Sequence, residues 1–580
     1  MFRSGSLRAA KGPARVRTSR GVLVWTTVCL LVACPTGDGD GPLLPVASPA
    51  GPMELISIGA PLRCDNPTPS FSGWSEVSAS RNFELIGQPV ELFPRNSFGA
   101  SIVAEDLDGD GDIDIAGMPL QGGGAVFEND GLGYFTRWDL GWPESAPGSG
   151  LWVGLTAVDL DGDGLPELIQ PGMNEVRAGS NLGGMSFGAP EILLSGLTSS
   201  ALNLFVTASF GDADGNGELD LLLPGFLPLG PDPNLPTGTP DLYFLRDGDD
   251  WGPPQALDNP FEESQSFCGV WTDQDRDGDV DALLTTVGAS AEQRPFGLFR
   301  NGGRNGDALL LTDEAANLGL DYRASAMGIT SADLNADGIP DYVISDLGRP
   351  ITMLSDGDAG YYEAGAALGL TFAAQPQIIG WSVDLEDLDN DGALDLSLAG
   401  GHSGASFTAV ATNDTSSPDY ILEHPDTLWR GSLDENGSHT FEDVTEAVGF
   451  GDIGNHYGQA AADFDGDGFL DLVMASADGP GRLWMNSCSE KAWTEVEFVG
   501  PPGNRAGWGA VVRVDIGGHL RERELLSTRG YGQGPSRLHF GLGDAETIDE
   551  LTVRWADGEE SSWQNLPPLA LLTVTHPSAE

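Results

Sequence analysis

The stretch 104-AEDLDGDGDID-114 sets aspartates at alternate positions, Asp106, Asp108, Asp110 and Asp112, and a further one at Asp114. Carboxylates packed this tightly repel one another unless a counter-charge lies between them. The form Asp-x-Asp-x-Asp-Gly-x-x-Asp returns as 159-DLDGDGLPE-167, 212-DADGNGELD-220, 273-DQDRDGDVD-281, 333-DLNADGIPD-341, 387-DLDNDGALD-395 and 463-DFDGDGFLD-471. These are loops 1 to 7 below. Every copy has Gly at its sixth position and a carboxylate at its ninth, so the chain is a repeat array.

The spacing names the counter-charge. Calcium takes six to eight oxygens at roughly 2.3–2.6 Å in flexible geometry. Side chains at positions 1, 3 and 5 converge on one point if the backbone turns sharply, and Gly at position 6 permits that turn. Position 7 offers its carbonyl and position 9 closes the shell. The side-chain ligands are then Asp106, Asp108, Asp110 and Asp114; Asp159, Asp161, Asp163 and Glu167; Asp212, Asp214, Asn216 and Asp220; Asp273, Asp275, Asp277 and Asp281; Asp333, Asn335, Asp337 and Asp341; Asp387, Asp389, Asp391 and Asp395; and Asp463, Asp465, Asp467 and Asp471. Up to seven calcium ions are expected. The Glu that an EF-hand places at position 12 is missing: loop 1 has Gly117 there and loop 7 has Met474.

The flanks read as strands. Short apolar runs follow the loops, such as 113-IDIAGM-118, 219-LDLLLPG-225 and 470-LDLVMASA-477, and 101-SIVAED-106 leads into the first. Each loop is therefore the tip of a β-hairpin. With later runs such as 125-AVFEND-130 and 296-FGLFRNG-302, each unit holds about four strands in roughly 50–60 residues, the size of a propeller blade. The fold expected is all-β: a seven-bladed propeller over residues 64–490 and a small β-domain over 491–580. The segment 98-FGASIVAEDLDGDGDID-114 resembles the FG-GAP/VCBS repeat family, and the likeness extends over about residues 65–490. The phrase 74-WSEVSASRNF-83 is similar to 441-FEDVTEAVGF-450 but has no blade of its own. It is expected to complete the seventh blade, which brings Cys64 near Cys488. A disulfide there would clamp the ring in an oxidising compartment, leaving Cys268 free and buried; the alternative is that all three are unpaired.

Residues 504-NRAGWGAVVRV-514, 530-GYGQGPSRLHFGLG-543 and 551-LTVRWADG-558 resemble the ASPIC/UnbV domain of cartilage acidic protein-like proteins, although Ala556 stands where that family has Pro. The family brings no defined activity. Arg505, Arg529, Arg537 and Arg554 either form a basic patch or, as the expectation favours, are scattered surface charges.

The N-terminus carries six Lys/Arg and no acid in residues 1–20, then the apolar run 21-GVLVWTTVCLLVA-33, too short to span a membrane. It reads as a signal peptide over 1–33. The end, 31-LVAC-34, resembles the bacterial lipobox, which implies lipidation of Cys34; an ordinary signal with a chance Cys is the alternative. Pro35 rather than Asp follows the Cys, and resemblance to enterobacterial lipoproteins then implies the outer membrane or cell surface. Residues 34–63, rich in Pro and Gly, read as a flexible tether.

The formal charge is -59, and losing the six basic residues with the signal makes it -65. Such a surface disfavours nucleic acid and anionic lipid as partners. No HExxH, Walker loop, CxxC or GxSxG is present, and 401-GHSGA-405 is a lookalike lacking its last Gly. His456 falls on an inner strand, where packing is the expected role. Two function classes follow. FG-GAP resemblance implies a binding or adhesion module, its loop-rich face presented to an extracellular protein or polysaccharide. The alternative is a calcium-dependent hydrolase or lyase acting on polysaccharide.

Overall fold

The apolar runs that follow the acidic loops are buried along their whole length. Asp114–Met118, Glu167–Pro171, Asp281–Thr286 and Asp471–Ser476 have no exposed residue, as strands covered on both faces must be. In the computed structural model each pairs antiparallel with the strand before its loop and with the strand after it. In the first sheet the order is Ser101–Glu105, Asp114–Met118, Ala125–Asn129 and Phe135–Asp139. The innermost strand is wholly buried, whereas the outermost keeps only Phe135 inside. Seven sheets of this kind are built from the described residues, six of four strands and the first of five because Gly532–Gln533 adds to its inner edge, and each carries one acidic loop between two of its antiparallel strands. The protein is an all-β propeller whose one described helix is the single turn Ala315–Leu318.

The structure describes residues 55–62, 64, 67–68, 71–87, 99–119, 124–142, 152–198, 203–228, 239–258, 265–287, 295–357, 360–371, 379–401 and 424–579. Cys34 and the signal segment lie outside them. The sheet of loop 7 takes its outermost strand, Ser75–Glu76, from the N-terminal side, pairing Ser75 with Met485. Cys64 is bonded to Cys488 across 424 residues of sequence, and Cys268 is free and buried.

Latches at the loops join neighbouring sheets. Asn129 Nδ2 donates to Ile113 O of its own loop at 3.0 Å and to Phe464 O of loop 7 at 2.8 Å. Asn181 ties loop 2 to loop 1 in the same way, Asn301 ties loop 4 to loop 3, and Asn486 ties loop 7 to loop 6. Arg246 Nη2 reaches Leu160 O of loop 2. Tyr361 donates to Pro340 O of loop 5 and accepts from Gln274 of loop 4. His439 Nδ1 faces Leu334 O of loop 5 while Nε2 accepts from Leu394 N of loop 6. Burial holds the His439 imidazole down to about 4, so it is neutral and serves as donor on one side and acceptor on the other.

The C-terminal domain is two four-stranded sheets, His519–Glu524, Val511–Ile516, Ile548–Arg554, Glu560–Leu566 and Ile56–Ile58, Ala570–Thr575, Ala492–Val499, Arg537–Gly543. Trp508, Trp555 and Trp563 are buried in their shared core. The strand Ile56–Ile58 corrects the tether expected over 34–63. It pairs with Ala570–Thr575 in the register Ile56↔Val574, because Ile56 finds an apolar slot in that core.

Residues 526–533 of this domain run into the centre of the ring and are buried there. Ser527 Oγ accepts from Phe210 N at 2.7 Å, Gln533 clasps both backbone groups of Ala157, and Gly532–Gln533 lies parallel to Ile102–Val103. Tyr531 packs against Phe267, Trp381 and Tyr457, and its hydroxyl accepts from Gly99 N. Gly532 is required there: a Cβ would fall 1.8 Å from Gln459 O.

Candidate metal sites and the domain that covers them

Each loop is shaped by two left-handed residues. Position 6 is Gly with φ between 85° and 104° in all seven loops, and position 4 is also at positive φ throughout. Gly fills position 4 in four loops, whereas Arg276, Ala336 and Asn390 hold it at 60°, 58° and 57°. This curvature aims the amides of positions 4 to 6 back at the first aspartate. In loop 1, Gly109 N donates to Asp106 Oδ1 at 2.8 Å and Gly111 N to Oδ2 at 3.0 Å.

Position 9 clamps the loop to its sheet. Leu107 N and Asn129 N donate to the two oxygens of Asp114, at 3.0 and 2.8 Å, and Asp220, Asp281, Asp341, Asp395 and Asp471 repeat this pairing. Glu167 accepts from Leu160 N. The ninth acid therefore builds the hairpin as well as facing its centre.

Oxygens of Asp106, Asp108 and Asp114 lie within 4.8 Å of one another. The same holds for Asp159, Asp161 and Glu167, for Asp212, Asp214 and Asp220, for Asp387, Asp389 and Asp395, and for Asp273, Asp275 and Asp277. Burial pushes the Asp114, Asp220, Asp281 and Asp341 carboxyls up to about 8. Without a cation these acids hold their protons at neutral pH; a divalent ion at the cluster would displace them. Asp465 Oδ1 is buried with no hydrogen-bond partner among the described residues. All-oxygen donors with a backbone carbonyl beside them fit a hard cation such as calcium.

The ring of loops lies against the C-terminal domain. Arg537 Nη2 donates to Gly111 O of loop 1, and Arg505 Nε stands 3.8 Å from Asp159 of loop 2. Gly503 abuts Gly217 O of loop 3, and Arg554 pairs with Asp273 of loop 4 at 2.5 Å. Arg521 donates to Gly392 O and His539 to Asn390 Oδ1, both in loop 6, and Trp493 packs on Gly468 of loop 7. Asp333 of loop 5 faces the domain across a cavity of about 250 Å³. Deeper in, Arg529 pairs with Asp384 and Glu386 at 2.7 and 2.9 Å, and Arg523 forms a two-pronged bridge to Glu386 at 2.8 Å. These cations hold the Glu386 carboxyl down at about 2 despite its burial.

Two expectations are corrected. Arg505, Arg529, Arg537 and Arg554 are not scattered surface charges; each meets a carboxylate, and Arg529, Arg537 and Arg554 are tucked into the joint between propeller and domain. The loop face is not free for a partner, because the protein's own domain occupies it. Both errors arise from pairs separated by hundreds of residues in sequence. His456 lies buried with Nδ1 2.8 Å from Asp426 Oδ2, a satisfied pair on an innermost strand. Asn129 ends the third strand of its sheet and Asn301 lies in the middle of the third strand of its own, but nothing local marks their partners.

Residues 106–170 match the model of the FG-GAP-like repeat, and residues 500–580 match that of ASPIC and UnbV. Among curated proteins none matches the chain. Solved structures similar to it include an Agrocybe aegerita lectin that recognises non-reducing terminal N-acetylglucosamine (16% identity, 68% of this chain and 91% of that one, TM-score 0.37). A streptogramin B lyase (11%, 72% and 100%, 0.38) and an exotype rhamnogalacturonan lyase (12%, 81% and 90%, 0.31) are others. Likeness at this level says nothing of ligand or activity. The chain is a β-propeller that carries an FG-GAP-like repeat and ends in an ASPIC and UnbV domain.

Proposed function

We propose that this protein is a calcium-loaded propeller, held on a bacterial cell envelope by lipid at Cys34, that binds an extracellular protein or polysaccharide. The observation that carries the reading is the construction of the loops. Oxygen donors gather at one point in loops 1, 2, 3, 4 and 6, each loop is latched to its neighbours, and the C-terminal domain lies against the ring of loops. A cation in each cluster would remove the repulsion among its acids and stiffen the whole face. With that face covered and the ring centre filled by residues 526–533, a partner has the opposite face. The second strand of each sheet runs toward that face and the third leads back from it. A rigid ring that offers connecting loops on one side suits recognition.

The test is capture of envelope proteins and extracellular polysaccharide by the purified chain, in calcium and in EGTA. Calcium-dependent capture of one defined partner supports the reading, whereas capture unaffected by EGTA removes calcium from it. A glycan recovered shortened points instead to a hydrolase or lyase. For the anchor, Cys34→Ala is expected to shift the protein from the membrane fraction to the soluble one.

A further inference from the structure

Six of the seven loops treat their first aspartate alike. In loops 1, 2, 3, 5, 6 and 7 both oxygens of that carboxylate accept amides of their own loop. Loop 4 breaks the rule. Gly278 N reaches Asp273 Oδ2 at 3.1 Å, and Oδ1 is buried with no hydrogen-bond partner among the described residues. The Asp273 carboxylate is turned toward Arg554, whose Nη2 stands 2.5 Å from Oδ2. A second guanidinium, Arg300, lies 3.2 Å from Asp275 Oδ2. Positions 1 and 3 of this loop are thus both ion-paired.

The loops with other arginines differ. Arg304, Arg430 and Arg81 reach position 3 in loops 3, 6 and 7, and Arg505 stands 3.8 Å from Asp159 at position 1 of loop 2, but in all four loops both oxygens of position 1 keep their loop amides. In loops 1 and 5 no ion pair reaches these carboxylates among the described residues. Loop 4 is also fastened from below. Arg276, at its fourth position, pairs with Glu522 at 2.6 Å and Glu524 at 3.3 Å on the C-terminal domain, and Asp273 N donates to Glu524 Oε1 at 2.8 Å.

We propose that loop 4 takes the Arg554 guanidinium in place of calcium, so that the chain binds six calcium ions and loop 4 is a metal-independent anchor for the C-terminal domain. The inference rests on the calcium reading above. Arg554 is paired with Asp273 Oδ2 and Arg300 with Asp275 Oδ2, and two guanidinium charges this close to the cluster repel a divalent cation.

The experiment is a count of bound calcium by native mass spectrometry on the full chain, stripped with EGTA and reloaded. Six ions are expected. Asp273→Asn is expected to leave the count at six, and Asp106→Asn to lower it to five. Arg554→Gln, which frees Asp273, is expected to raise it to seven. Seven ions in the unaltered chain, or a loss of one ion in Asp273→Asn, overturns the proposal. No calcium in the unaltered chain overturns the calcium reading itself, and this proposal with it.

Discussion

The acidic loops and the underside of the C-terminal domain meet face to face, yet they are built by opposite means. A loop closes on itself: all the amides that hold Asp106 lie within five residues of it. The domain is held by pairs that are remote in sequence, Arg523 with Glu386 across 137 residues and Ser536 with Glu105 across 431. The loops gather negative charge by repetition. The domain meets it with arginines that follow no repeat. Charge that a local motif accumulates is thus met from outside the motif, by arginines of a second domain such as Arg505, Arg537 and Arg554.

Stripping calcium breaks the comparison on the loop side and has the largest expected effect. One site at 100-fold excess of ligand over its Kd adds about 2.7 kcal/mol, and the proposed sites would add to one another. The pH dependence follows from the clamping acids. Their folded-state values, about 8 for Asp114, Asp220, Asp281 and Asp341, lie above the ordinary 3.8, so the folded form without calcium binds more protons than the unfolded one. Its stability is therefore expected to fall as pH rises from about 4 through 8. Thermal melts in EGTA should show a lower midpoint at pH 8 than at pH 5.5, and excess calcium should remove most of that difference.

Arg529→Met breaks the domain side. It leaves Asp384 and Glu386 buried with one fewer cation, at an expected cost of about 3–5 kcal/mol in denaturant unfolding. Calcium should not restore the loss, since both carboxylates lie outside the loop clusters. A smaller effect is expected at the latches. Asn301→Ala removes two hydrogen bonds between loops 3 and 4 and leaves buried carbonyls unpaired, costing about 1–3 kcal/mol. Hydrogen exchange should rise at loops 3 and 4 and stay unchanged at loops 6 and 7. Cys268 sharpens the contrast without disturbing it. Burial pushes its thiol up to about 12, so iodoacetamide at pH 8 should modify it only after the ring unfolds.

Much of this was legible because it is local. The acids at positions 1, 3, 5 and 9, the Gly at position 6 and the apolar run after each loop specify a hairpin with a cation-sized cluster at its tip. Position 4 was harder to read. Four loops place Gly there, but Arg276, Ala336 and Asn390 hide the same left-handed turn behind side chains, two of which touch the C-terminal domain. Ile56–Ile58 read as tether because Pro and Gly surround it, and two isoleucines about a serine cannot announce a sheet edge 514 positions or more away.

The sequence by itself determined the repeated acidic hairpin, the all-β architecture and the presence of a distinct C-terminal segment. These depend on spacing, turn residues and apolar periodicity, which act over a few residues at a time. Only the tertiary structure decided that the C-terminal domain sits on the loops, that residues 526–533 fill the ring centre, and that Arg554 meets Asp273 while Asp106 keeps its own amides. Those outcomes depend on which charges and surfaces the closed ring brings within a few ångströms, and no local pattern encodes that.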